Sequence, residues 1–163
     1  MDEVRLRPPR NKVERRAVSY WLTSELLSVL VPTVILAVLA LLIEPARLWL
    51  LLALGVVLVI GLPYGLAAPF WRYRVHRWEV TEQAVYTRTG AFWQEWRIAP
   101  MSRIQTVDTA RGPLERLFRL SSVTVTTASA AGPLKIQGLD HELAADLVAR
   151  LTETAQANRG DAT

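Results

Sequence analysis

The sequence predicts an antiparallel pair of membrane helices, followed by a small antiparallel β-barrel or sandwich that a C-terminal helix caps. Three observations predict it. Two apolar runs, residues 26–43 and 48–71, carry no charged side chain and are separated only by EPAR at 44–47. From about residue 72 the apolar spacing turns from continuous to alternating, in short β-branched runs divided by turn residues. The stretch that begins DHEL at 140 returns to helical spacing with a single leucine stripe.

The chain has 163 residues, 51% of them hydrophobic, and these are concentrated between Leu26 and Trp71. A hydrocarbon core about 30 Å thick needs about 20 apolar residues as helix, so each run spans once its flanks and some tilt are counted. The rival reading, two buried helices of a soluble protein, leaves too little polar chain to cover them. A four-residue connection makes the helices antiparallel neighbours, and Pro45 suits a turn because it interrupts helix at high cost. Tyr20, Trp21, Trp49, Phe70, Trp71 and Tyr73 mark the ends of the runs, where amphipathic rings favour the headgroup region. Gly61 and Gly65 form a G-x-x-x-G in the second run, a spacing that lets helices approach closely, with the first span as the partner or a second copy. Pro32 and Pro63 are placed to bend their helices.

Orientation follows from the basic residues. Arg5, Arg7, Arg10, Lys12, Arg15 and Arg16 precede the first span, and Arg72, Arg74 and Arg77 follow the second, whereas the turn offers Arg47 alone. An excess of Lys and Arg marks the cytoplasmic side, so both termini are expected in the cytoplasm of a multi-pass plasma-membrane protein. A cleaved signal peptide is the rival reading of the first run. Its basic segment would be unusually long, its apolar core exceeds the usual length, and no small-residue cleavage site follows. The expected division is a basic segment over 1–19, a hairpin over 20–71 with helices at about 22–43 and 47–70, a domain over 72–157 and a disordered tail over 158–163.

Within the domain, RYRVHRWEVT (72–81) reads as a strand whose phase slips: Tyr73 and Val75 share one face, Trp78 and Val80 the other. AVYTRTG, FWQEWRIAP, RIQTVDTA, SSVTVTTAS and LKIQGL supply further strands. Between RIQTVDTA and SSVTVTTAS lies RGPLERLFRL (111–120). Gly112 and Pro113 break the preceding strand and start one helical turn, which puts Leu114, Leu117 and Phe118 on one face. These three are expected to plug the open end of the barrel, with the arginines outside and Glu115 pairing with Arg119. A membrane- or partner-facing edge is the alternative. Asp140 is placed to cap the final helix, whose expected apolar face is Leu143, Leu147 and Leu151 with Ala144, Val148 and Ala155. Several strands followed by one such helix outline a pleckstrin-homology (PH)-like domain.

The segments W-E-V-T-E-Q-A-V-Y-T-R-T-G (78–90), R-I-Q-T-V-D (103–108), R-G-P-L-E-R-L-F (111–118) and V-T-V-T-T (123–127), placed after a helical hairpin, resemble the YdbS-like bacterial PH-domain membrane proteins. The resemblance covers about residues 15–155. It implies a PH-like fold at the inner face of a bacterial membrane, no established reaction, and a membrane-protein partner, such as a larger protein with several copies of the domain.

Chemical motifs are lacking. His76 and His141 are the only histidines, there is no cysteine, and no glycine-rich phosphate loop or nucleophile elbow occurs. The expectation is a non-enzymatic binding or scaffold module with no cofactor and no metal. A membrane-surface module that responds to anionic lipid, or an accessory subunit of a transporter or enzyme, is an alternative role. The net charge of +4 is spread too thinly over the soluble part for nucleic acid. Arg15, Arg16, Arg72, Arg74 and Arg77 are candidate contacts for anionic lipid headgroups, each contributing about 1 kcal/mol without selectivity.

Overall fold

The computed structural model describes residues 9–90, 93–129 and 132–160. Arg5 and Arg7 of the basic segment, Phe92, and residues 161–163 of the expected tail lie outside them. The elements are β1 (Asn11–Lys12), α1 (Arg16–Leu42), α2 (Arg47–Val75), β2 (Arg77–Val80), β3 (Ala84–Thr89), β4 (Glu95–Pro100), β5 (Ile104–Ala110), α3 (Pro113–Leu117), β6 (Leu120–Thr127), β7 (Leu134–Asp140) and α4 (His141–Gly160). Val18–Trp71 forms one compact unit. Of the described residues, 9–17 join those from Arg72 onward in the other.

In the first unit α1 and α2 are connected by a short 3-10 turn over Glu44–Ala46. Arg47 closes it, donating from Nε to the Ala40 carbonyl at 3.1 Å and approaching Glu44 at 3.5 Å. Both helices contain a window of mean hydropathy 2.5 or 2.4, of which only 11% and 6% is buried within the protein. Such low burial is the opposite of a soluble core helix, and suits surfaces that meet lipid. Gly61 and Gly65 face α1: a Cβ at Gly61 would stand 3.0 Å from Val29 Cγ2, and one at Gly65 3.5 Å from Glu25 Cβ. The small residues thus let the two helices of one chain meet.

The second unit holds two antiparallel sheets, in the orders β1-β2-β3-β4 and β5-β6-β7. They pack as separate layers, so among the described residues the domain is an open sandwich rather than a closed barrel. Their facing sides supply Val85, Leu120, Val123, Val125, Ile136 and Leu139, each at most 1% exposed. Helix α4 packs on β5, β6, β7 and the turn Met101–Arg103, and its i, i+3, i+7 stripe of Ala144, Leu147 and Leu151 is equally buried. Asp140 Oδ1 accepts from the Glu142 amide at 2.9 Å and so caps the helix. Four strands, three strands and a covering C-terminal helix make the domain PH-like.

Several boundaries differ from those read in the sequence. Asn11–Lys12 is a strand of the first sheet, paired with Trp78 and Arg77 of β2. Two polar residues give no β signal of their own; the partner strand imposes the conformation. The expected strand over 72–81 is Arg77–Val80 alone, because α2 runs on through Val75. The phase slip there marks a passage from helix to strand at His76. Helix α4 continues to Gly160, three residues into the expected tail.

The plug is also different. Phe118 and Leu114 are half-buried, and Leu117 is 73% exposed. Glu115, expected outside with Arg119, is instead buried at 8% exposure. Its carboxylate accepts from the Gly112 amide at 2.7 Å and from the Ser122 hydroxyl at 2.5 Å. With both oxygens occupied the carboxylate has a reason to be inside, which turns Leu117 outward. Glu115→Ala should therefore destabilise the domain by about 2–3 kcal/mol, since it orphans the buried Ser122 hydroxyl and the half-buried Gly112 amide. Leu117→Ser should stay within about 0.5 kcal/mol of the parent. Chemical denaturation of the two variants checks the pair, and the opposite ranking would restore the apolar plug.

Candidate functional site

The arginines singled out in the sequence are not equivalent in the structure. Arg15 and Arg74 are exposed, whereas Arg72 and Arg77 are half-buried. Arg16 is committed to Asp140, with Nη2 to Oδ2 at 2.5 Å. That pair joins the first residue of α1 to the cap of α4. With side chains 43% and 27% exposed it adds at most about 1 kcal/mol. Burial raises the Asp140 carboxyl, but the Glu142 amide, Arg16 and the Leu143 amide outweigh it and hold the group below the usual carboxylate range.

The N-terminal segment is fixed at two more points. Besides the β1–β2 pairing, the Glu14 amide donates to the Gly138 carbonyl of β7 at 3.0 Å, and Val13 and Ala17 are buried. The connections are short on both sides of the hairpin. Three residues separate Lys12 from Arg16, and His76 alone separates α2 from β2.

One cleft of the domain is polar. It has a volume of about 350 Å³ and lies between β3 and β4 of one sheet and β7 of the other, with the last turn of α2 contributing. Arg72, Arg97 and Lys135 bring three cationic groups to it and Glu95 one carboxylate. Arg97 is held in place by Nε on Glu95 Oε1 at 2.6 Å and Nη1 on the Pro133 carbonyl at 2.7 Å. Among the described residues Lys135 has no carboxylate partner; it is exposed on β7. His76, 3% exposed, also borders the cleft. Its burial, and then the nearby Arg72 charge, lower its pKa to about 4, so it is neutral at pH 7. Gly90, at φ +106°, lines the cleft and touches the backbone of Trp93: a Cβ there would lie 1.8 Å from the Trp93 carbonyl oxygen. Trp93 itself is 90% exposed.

Of the sequence-predicted residues, only Arg72 takes part in this cleft. Arg97 and Lys135 escaped notice because they stand alone on separate strands, 25 and 63 residues beyond it, and no linear pattern links them. Among the described residues no group of three His, Asp or Glu side chains is placed to hold a metal ion.

The family model described as "Bacterial PH domain" matches residues 17–155. A transmembrane protein of Bacillus subtilis strain 168, UPF0699 transmembrane protein YdbS, is 30% identical over 124 residues, which cover 74% of this chain and 78% of that protein. No solved structure matches. With two helices long and apolar enough to cross a bilayer and a PH-like sandwich after them, the chain is a membrane protein that belongs to the bacterial PH domain family.

Proposed function

We propose that the chain is a non-enzymatic, membrane-anchored binding module that pairs with another membrane protein at the inner face of a bacterial plasma membrane. The observation that carries this reading is the attachment of the domain. The helical hairpin is inserted between β1 and β2, and these two strands pair with each other. Both chain segments that leave the hairpin belong to one folded body, which favours the reading that they lie on one side of the bilayer. The basic residues at 15, 16, 72, 74 and 77 favour the cytoplasmic side.

The linkers add a second constraint. A flexible tether gives a domain reach, but a single residue between α2 and β2 gives none. A partner in the same membrane fits that geometry better than one deep in the cytosol. Both helices also leave large apolar side chains outward, among them Leu52, Val59 and Ile60 at 54%, 75% and 65% exposure. Photo-crosslinking residues placed at Val59 and at Trp96 of β4 test the reading in native membranes. The expected result is that both positions give adducts with the same second membrane protein, and that this protein co-purifies in mild detergent. Adducts with lipid or with the chain itself, and recovery as a lone species, would overturn it.

A further inference from the structure

We propose that the membrane-protein partner docks on the free edge of β4, where an extended segment of it becomes a further strand of the first sheet. This inference rests on the partner reading above, and names the mode of contact and the chemistry of the segment. β4 stands at the end of the order β1-β2-β3-β4. Its six residues pair with β3 in unbroken register, from Ala84 opposite Pro100 to Thr89 opposite Glu95. Sheet edges are commonly blunted by bulges, lysines or prolines. β4 has no bulge and no lysine, and its one proline stands at its last position.

The backbone phase decides what the edge offers. The Met101 amide, just past β4, donates to the Gln83 carbonyl at 2.9 Å. Along an antiparallel ladder, residues that bond across alternate with residues that do not. Ala99, Arg97 and Glu95 therefore turn their N–H and C=O groups to β3, and Trp96, Ile98 and Pro100 turn theirs outward. Pro100, which has no N–H, occupies a position where β3 requires none. The amides and carbonyls of Trp96 and Ile98 are left as two donors and two acceptors along an open edge. An added strand matches that row, whereas a helix has already bonded its own backbone groups.

The side chains specify the segment. Trp96 and Ile98 are 38% and 40% exposed on the outer face of the sheet, the reverse of the face by which Glu95 and Arg97 line the polar cleft. On this outer face Arg77 stands directly opposite Arg88, a like-charge pair that opposes sheet formation. Glu79, beside them, accepts from the Arg10 amide at 3.2 Å. Arg88 extends across to β4, with its guanidinium 5.1 Å from the centre of the Trp96 ring and Nη2 on Gln94 Oε1 at 2.6 Å. Its charge is thereby carried to the open edge, and among the described residues it meets no carboxylate there. The complementary segment is extended and free of proline, with apolar side chains facing Trp96 and Ile98 and an acidic one at the next position on that face, beside Gln94.

The test uses the full chain in native membranes, with the photo-crosslinker p-benzoylphenylalanine in place of Trp96, Ile98 or Val59 in turn, and sequences the attachment points by mass spectrometry. The probes at 96 and 98 should attach to one stretch of one membrane protein, at points two residues apart, with Asp or Glu two residues further on the side of the Trp96 point. Ile98→Pro, in the chain that carries the probe at 96, removes one outward donor and leaves the bonds to β3 intact, as Pro100 does. It should lower the adduct yield about tenfold, as loss of an intermolecular hydrogen bond does, and Ile98→Val should retain it. Arg88→Glu should lower the yield by a similar factor, and it should fold because it makes the pair with Arg77 attractive. Melting curves verify both variants, and if the proline variant melts early Arg88→Glu decides. Adducts at Val59 without a common stretch at 96 and 98, or a yield unchanged in either folded variant, would overturn strand addition and leave the partner reading standing. No second membrane protein at any of the three positions would overturn both.

Discussion

Leu147→Asp should cost the PH-like domain about 4–5 kcal/mol, enough to bring a domain at the low end of the ordinary stability range of about 5–15 kcal/mol to the edge of unfolding. Leu147 is 1% exposed on the α4 face that packs on β5, β6 and β7. The substitution removes a fully buried aliphatic side chain, worth about 2 kcal/mol of transfer free energy. It also forces a carboxylate either to be buried without a partner or to lift the helix from the sheet. The volume-conserving Leu147→Met should cost less than about 1.5 kcal/mol. Limited trypsin digestion of the full chain in detergent reads the difference: Arg88 of β3 and Arg97 of β4, half-buried within paired strands, become cleavable in Leu147→Asp and stay protected in Leu147→Met. Because the hairpin is a separate compact unit, its helical signal should survive in both. Protection of the arginines in the Asp variant would mean that α4 does not cover the core.

The residues that could be read directly from the sequence are those whose signal is local. The alternation of Val123 and Val125 along β6, and the Ala144, Leu147 and Leu151 stripe of α4, each state a period and a buried face within one element. The two apolar runs and the EPAR turn did the same for the hairpin. What escaped was decided by contacts between distant segments. Asn11–Lys12 becomes a strand only because β2, some 65 residues later, offers it an edge. Tyr73 and Val75 alternate like a strand but continue α2, since nothing between Trp71 and Val75 breaks a helix already formed.

The short helix α3 shows how a polar contact overrides a hydrophobic pattern. Leu114, Leu117 and Phe118 have helical spacing, yet the helix spans only Pro113–Leu117. One turn cannot bury a whole face, and Glu115 takes the inner position because Gly112 and Ser122 satisfy its carboxylate. The cationic cleft was illegible for a related reason. Arg72, Arg97 and Lys135 belong to three elements, and only the packing of one sheet on the other brings them to one cavity.

In the function proposed above, the helical hairpin leaves and re-enters a single folded domain on the inner face of the membrane. The chain contains no cysteine, so single cysteines can be introduced without background. Ala46→Cys lies in the turn between the spans, Arg10→Cys just before β1, and Glu153→Cys on the exposed side of α4. Treating intact cells with a membrane-impermeant maleimide should label Ala46→Cys, and should label Arg10→Cys and Glu153→Cys only after permeabilisation. Labelling of position 10 or 153 in intact cells, with position 46 protected or positions 10 and 153 on opposite sides, would contradict the account.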